Sequence, residues 1–278
     1  MKVLYVVNSS AFFCSHFLFL AEQVKLSGNE VNIIAGDAEK KSYLQEMGFH
    51  FTCVEMSRKG MNPVNELLTI FSLYKAINSI SPDIMHMFTI KPIIYAGIVN
   101  KLFPKVRVSL TVASITGLGS ASLSRSIVGR ALWFTLKNVY KFALSLVSTK
   151  IIFENSDDKL LFISSGIVPE SRVRIVNGAG VDTFLFYPAD NYVDGSLKVV
   201  LVARLLKDKG IREYIKAGEL LQKRGADIRL QLVGSVDPGN ISSMQQCDVD
   251  SAHDKGFVEY LGQRNDIAAV YQNAHVAC

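Results

Sequence analysis

The sequence predicts an α/β protein of two doubly wound parallel sheets, the second incomplete. Three observations predict it. Short apolar runs alternate with helical patterns from the first residues onward, the signature of parallel βαβ units with right-handed crossovers. The alternation breaks over 177–196 and then restarts. The composition, 49% apolar, 20% charged and 10% aromatic over 278 residues, excludes a disordered chain and fits about two domains.

Val3–Val7 reads as a buried strand, followed by the polar turn Asn8-Ser9-Ser10 and a helix from near Ser15 to the stop at Ser27-Gly28. Strands follow at Glu30–Ala35 and Phe51–Val54. The pattern continues with helix Val64–Ile80, strand Ile84–Met87, helix Ile93–Leu102 and strand Arg107–Val112. A long helical stretch fills 124–148. Strand Lys150–Phe153, helix Ser156–Ser164 and strand Val173–Val176 close the first unit.

Asn177-Gly178-Ala179-Gly180, Pro188 and Asp194-Gly195 mark a connector. We place the boundary at 190, giving domains 1–190 and 191–278. The second contains strand Lys198–Val202, helix Ile211–Arg224, strands Arg229–Val233 and Val258–Tyr260, helix Ile267–Asn273 and strand His275–Cys278. It is short for a domain and stops on an apolar strand. A partner covering that sheet, or an incomplete domain, is the expectation.

Charge is unevenly distributed. The net +5 divides into +8 over 1–153 and −3 over 154–278, and no acidic residue lies between Asp83 and Glu154. An anionic surface or ligand for the first half follows. Arg130, Lys137 and Lys141 fall on one helical stripe with Trp133, Phe134, Leu136, Tyr140 and Phe142 among them. This stripe either seats the domain on anionic lipid headgroups or is an ordinary solvated face. Nucleic acid is not expected, since no recognition motif accompanies the charge. The amino terminus does not read as a signal peptide, because Asn8-Ser9-Ser10 interrupts its apolar run. No apolar run approaches the roughly 18 residues of a membrane span. Cys14, Cys53, Cys247 and Cys278 have no metal-binding spacing and read as reduced, mostly buried thiols of a cytosolic protein.

The most specific segment is Val202-Ala203-Arg204-Leu205-Leu206-Lys207-Asp208-Lys209-Gly210. It lies at the carboxyl end of a strand, where open α/β sheets bind ligands. Arg204 and Lys209 beside a helix amino terminus suit a diphosphate; an ordinary strand-to-helix loop is the alternative.

This segment, with Asn177-Gly178-Ala179-Gly180-Val181-Asp182, Leu232-Val233-Gly234 and Val258-Glu259-Tyr260-Leu261-Gly262, resembles the family 4 nucleotide-sugar glycosyltransferases. Those are retaining enzymes of the GT-B fold, with two Rossmann-like domains. Pro82-Asp83-Ile84-Met85-His86, Thr89-Ile90-Lys91-Pro92 and Ile115-Thr116-Gly117-Leu118-Gly119 look like a bacterial subgroup that extends undecaprenyl-diphosphate-linked glycans for O-antigen, capsule or related polysaccharide. The resemblance spans the whole chain. It implies a UDP-sugar donor carrying a hexose or N-acetylhexosamine, a polyprenyl-diphosphate-linked acceptor, no cofactor and no metal. It also implies a peripheral location on the inner face of the cell membrane.

The resemblance implies donor-diphosphate contacts from Arg204, Lys209 and Gly210, with base or ribose near Gly234 and Gly262. Fixed cations there stabilise the charge of a departing nucleoside diphosphate. Ser9 and Ser10, where relatives often have two glycines, are expected to meet the same diphosphate. Thr116 stands where many relatives carry histidine; its hydroxyl can bond a sugar but is a poor base, and Gly117 permits close approach. His86 is the other candidate base, or a structural histidine. Relatives also carry two glutamates eight positions apart in a region beyond Cys278. The pair Glu22/Glu30 has that spacing but lies in the wrong domain. An inactive fragment or an accessory acceptor- or membrane-binding subunit is therefore the alternative expectation. A nicotinamide dehydrogenase is disfavoured, since no G-x-G-x-x-G follows the first strand.

Overall fold

The computed structural model describes residues 1–56, 62–106, 108–117, 127–188, 195–237, 240 and 242–278. The first sheet has seven parallel strands: β1 Lys2–Val7, β2 Glu30–Ala35, β3 His50–Cys53, β4 Ile84–Phe88, β5 Leu110–Ile115, β6 Thr149–Phe153 and β7 Val173–Ile175. Their order is β3-β2-β1-β4-β5-β6-β7. The second has β8 Leu197–Val202, β9 Ile228–Val233, β10 Glu259–Tyr260 and β11 Val276–Ala277, ordered β10-β9-β8-β11 and again parallel. Both sheets reverse winding direction next to their first strand, so each has a switch point, at β1/β4 and at β8/β11. Ligands of open α/β sheets bind outside the carboxyl ends of strands at such points.

The strands read as continuous apolar runs because the inner ones are buried on both faces. Leu4, Val6, Met85, Met87, Ala113, Ile115, Ile151 and Phe153 form one face of the first sheet. That face is covered by α4 Pro63–Ile80, α5 Ile90–Leu102, α6 Ile127–Ala143 and α7 Ser156–Ser164. Val3, Tyr5, Val7, Ile33 and Phe88 form the other, under α1 Ser10–His16, α2 Leu18–Leu26 and α3 Lys41–Glu46. In the second unit α8 Ile211–Lys223 and α9 Gln246–Asp254 pack on one face, and α10 Ile267–Gln272 on the other.

The chain divides into Met1–Gly180 and Val181–Cys278. The division falls ten residues ahead of the expected boundary at 190, which itself lies outside the described residues. The connector belongs with the second unit: the Phe186 ring packs against Tyr271 at 6.4 Å, and Gln272 donates a hydrogen bond to the Tyr187 carbonyl at 3.5 Å.

Several elements depart from expectation. The first helix starts at Ser10, not near Ser15, because Ser9 in extended backbone caps it and accepts from the Phe12 amide. It breaks at Phe17 (φ −132°), whose ring is drawn onto Phe88 at 4.2 Å. Strand β5 begins at Leu110, three residues later than expected; Arg107 lies outside the described residues. Ahead of β5, the Val108 amide is held by Asn100 rather than by a neighbouring strand. Helices α3 and α9 were not expected; α3 buries only Leu44, and α9 only Val249 and Ala252, too few for a visible periodicity. All four cysteines are free, but Cys53, Cys247 and Cys278 are exposed, against the expected burial. Cys53 sits on the edge strand β3, where one side has no neighbour to cover it.

Candidate functional site

In the second unit the turns after β8, β9 and β10 meet at the carboxyl edge of the sheet. They are sewn together by their own backbones. The Ala203 amide donates to Val233 O at 3.0 Å, Leu205 to Ser235 O at 2.9 Å, and Gly234 to Gly262 O at 2.9 Å. Tyr260 adds its hydroxyl to the Gly234 carbonyl at 3.0 Å. Gly234 is required there: its φ is +144°, and a Cβ would lie 1.9 Å from Ala203 O. The segment following Gly234 also closes on the Arg204 turn, through Lys207 to Ser242 O at 2.8 Å and Met244 to Leu205 O at 2.8 Å.

Arg204 projects from this seam, 62% exposed in its side chain, with Nη1 3.2 Å from Asp237 Oδ2. Such an exposed pair contributes little to stability and exchanges readily for a stronger anion. Lys209, also exposed, ends a 3₁₀ turn, Lys207–Lys209, and Gly210 (φ +71°) turns the chain into α8. No side chain caps helix α8 among the described residues, so its leading amides carry the positive end of the helix dipole without a side-chain acceptor. The elements thus bring Arg204, Lys209, Gly210, Gly234 and Gly262 to one edge.

The first unit is less simple. Ser9 and Ser10 are 3% and 0% exposed, and their hydroxyls are engaged within the protein. Both bond Asp37, which follows β2. The Ser10 hydroxyl also accepts from the Lys40 amide at 3.0 Å. Burial pushes the Asp37 carboxyl up, but bonds from the Ser10 hydroxyl and amide, the Glu39 amide and Ser9 outweigh it and hold it below its usual value. A carboxylate of the protein itself therefore takes the Ser10 hydroxyl and amide and the Ser9 hydroxyl, which were expected to meet a diphosphate.

His86 has the surroundings of the second of its two expected roles, a structural histidine. It lies in mid-strand, with its ring stacked on Phe88 at 4.1 Å and near Tyr5 at 5.8 Å. Its Nε2 shares a hydrogen bond with Ser114 Oγ at 2.7 Å. Burial pushes its pKa down to about 3, so it is a neutral packing group rather than a base at neutral pH.

Thr116 and Gly117 do stand at the carboxyl edge, directly after β5, with Gly117 exposed at φ +131°. Leu118 and Gly119 lie outside the described residues. Two further residues stand at this edge that the sequence did not single out as site residues. Thr89, between β4 and α5 at the β1/β4 switch point, has φ +67° and ψ 168°, and its buried Oγ1 has no hydrogen-bond partner among the described residues. Non-glycine residues are held in such backbone mainly at functional sites. Glu154 follows β6, and its carboxyl is pushed up by burial, partly offset by the charge of His16. The rest of the Thr89-Ile90-Lys91-Pro92 motif anchors α5 to α4. Lys91 Nζ is 2.6 Å from Glu66, which Tyr95 also bonds.

The basic stripe is real but its aromatics divide. On α6, Arg130 and Lys141 are exposed with Phe134 (68%) and Phe142 (41%), while Trp133, Leu136 and Tyr140 turn into the core. Arg125 lies outside the described residues. A second patch appears on α4: Val64, Leu67, Leu68 and Phe71 are exposed at helical spacing, with the Lys75 ammonium 4.6 Å above the Phe71 ring. Helix α5 packs between α4 and α6. Among the described residues, no helix is long and apolar enough to cross a membrane.

Comparison with known proteins bears on the family and the fold. A family model described as Glycosyl transferase 4-like matches residues 2–155. The chain is 22% identical, over 99% of its length and 73% of the relative's, to N,N'-diacetylbacillosaminyl-diphospho-undecaprenol alpha-1,3-N-acetylgalactosaminyltransferase of Campylobacter jejuni. Among solved structures it resembles Anabaena HepE in complex with UDP and glucose (TM-score 0.70, 18% identity, 100% of this chain and 73% of that one). It also resembles a glycosyltransferase of Rickettsia africae (TM-score 0.68, 15% identity, 99% and 72%). The fold of the chain is the GT-B fold of these enzymes.

Proposed function

Because the chain belongs to the Glycosyl transferase 4-like family, we propose that it transfers a hexose or N-acetylhexosamine from a UDP-sugar, with retention, to a lipid-linked saccharide of a surface polysaccharide. The observation that carries this reading is the edge of the second sheet, where Arg204 and Lys209 stand beside the uncapped start of α8. As the glycosidic bond of the donor breaks, negative charge collects on the departing diphosphate. Arg204 leaves Asp237 to meet it, and Lys209 and the α8 amides add fixed positive potential, without reorganisation of the backbone seam. Gly234 and Gly262 leave room along the same edge for ribose and base. No metal is needed for this charge neutralisation.

The Campylobacter relative, a diphospho-undecaprenol N-acetylgalactosaminyltransferase, supports a diphospho-undecaprenol-linked acceptor. A membrane-borne acceptor requires the enzyme to reach the bilayer, and the exposed apolar and basic residues of α4 and α6 support peripheral attachment there.

The test is direct. The purified protein is incubated with UDP-hexoses and UDP-N-acetylhexosamines and a polyprenyl-diphosphate saccharide, and product anomers are read by NMR. Transfer with a retained α-linkage is expected, as is UDP binding that Arg204→Ala weakens at least tenfold. Absence of both transfer and UDP binding would sink the reading.

A further inference from the structure

We propose that Glu154, Thr116 and the ring pair Phe12–His16 form the seat of the acceptor sugar, an inference that rests on the lipid-linked saccharide acceptor proposed above. Strand register brings the polar members together. Ile115 of β5 is paired with Phe153 of β6, so Thr116 and Glu154 are the next residues outward on adjacent strands. Ile115 and Phe153 both point into the core beneath α5–α7. Strand alternation then turns Thr116 and Glu154 to the opposite face, the side on which α1 lies.

Helix α1 completes the seat. The His16 ring lies against Phe12, centroids 4.6 Å apart and tilted by 31°, and is exposed. Its Nδ1 is fixed by Ser15 Oγ at 2.6 Å and the Phe12 carbonyl at 3.2 Å, which leaves Nε2 open. The charge of His16 partly offsets the burial that pushes the Glu154 carboxyl up. Glu154 is only partly exposed, and its carboxylate makes no hydrogen bond or ion pair among the described residues. A partly desolvated, unpaired carboxylate costs stability unless a ligand satisfies it.

This set of groups has the chemistry of a pyranose site. The carboxylate accepts two sugar hydroxyls or an acetamido N–H, and the Thr116 hydroxyl accepts or donates one more. The Phe12–His16 ring pair, tilted by 31°, offers ring faces to the C–H face of the sugar. Gly117 adds no side chain to obstruct it. Glu154 thereby selects acceptors that present vicinal donors and discriminates against sugars lacking one, because the carboxylate would be left unsatisfied.

The experiment measures binding, so it is independent of turnover. Farnesyl-diphosphate-linked N-acetylglucosamine and bare farnesyl diphosphate are titrated calorimetrically into the full chain, into Glu154→Gln and into His16→Ala, with UDP as control. The intact protein should favour the saccharide probe over the bare diphosphate. Glu154→Gln should weaken saccharide binding about tenfold or more, as expected for loss of a charge-assisted hydrogen bond. His16→Ala should weaken it less, and UDP binding should be unchanged in both. Saccharide binding equal in the intact protein and both variants overturns the seat. So does an intact protein that binds UDP but makes no distinction between the two probes, a result that leaves glycosyl transfer standing. Saccharide binding that depends on Glu154, in a protein that neither binds UDP nor transfers, supports the seat and removes the proposed function instead.

Discussion

Acidification should destabilise the first unit through His86, and the size of the effect follows from its burial. In the folded chain the imidazole lies between Tyr5, Phe88 and Ser114 with its pKa pushed down to about 3. In the unfolded chain it titrates near its ordinary value of about 6.5. Between these values only the unfolded state takes the proton, so stability is full above about pH 6.5 and falls as pH drops below it. The slope tends to about 1.4 kcal/mol per pH unit, which gives about 2 kcal/mol lost between pH 7 and 5. That is a large part of the roughly 5–15 kcal/mol available to a domain. The single tryptophan provides the assay. Trp133 sits on α6 of the first unit, facing Phe162, so its fluorescence in urea follows that unit alone. The midpoint should fall steeply with pH in the intact protein and much less in His86→Gln, whatever that variant's stability at pH 7. Equal pH dependence in the two proteins, within about 0.5 kcal/mol, refutes the assignment.

Three other outcomes are expected. Gly234→Ala should cost about 3 kcal/mol or more, since the new Cβ meets Ala203 O in backbone that alanine avoids; hydrogen exchange at β9 and UDP titration would both show it, and unchanged protection would contradict the seam. Ser10→Ala removes a fully buried hydroxyl from Asp37 and should lower the Trp133-monitored stability by about 1–3 kcal/mol. Replacing Leu67 and Phe71 of α4 by aspartate should reduce sedimentation with anionic liposomes at least as much as reversing Arg130 and Lys137 of α6. Equal binding by the α4 variant would leave α6 as the attachment surface.

What the sequence disclosed and what it hid have a physical pattern. Strands such as Val3–Val7 and Glu30–Ala35 were legible because burial on both faces forces continuous apolar runs. The donor turn at Arg204–Gly210 was legible because its cations, turn and helix start are contiguous in sequence. Contacts made across the fold were not. Asp37 lies 27 residues from Ser10, and nothing local in Ser9-Ser10 announces that a carboxylate will take their hydrogen bonds. Thr116 and Glu154 become neighbours only after β5 and β6 pair in one sheet. The α4 stripe has the spacing of an ordinary core face; only the packed layer shows that Leu67, Leu68 and Phe71 face outward. His86 kept two readings for a simpler reason: its strand runs on to Phe88, two residues past the histidine.

Thr89 carries a consequence for how this protein can change by mutation. A side chain held at φ +67° with a buried, unbonded hydroxyl works against folding by about 1–3 kcal/mol, and glycine would relieve that conflict. Neutral drift, which rewards folding alone, should therefore carry this position toward glycine. If Thr89 serves the crevice between β1 and β4, selection for turnover pulls the other way. A saturation library at position 89, sorted once for soluble expression and once for glycosyl transfer, should rank glycine near the top of the first sort and near the bottom of the second. The distance between those ranks would measure how far activity, rather than foldability, has set the backbone at the mouth of this sheet.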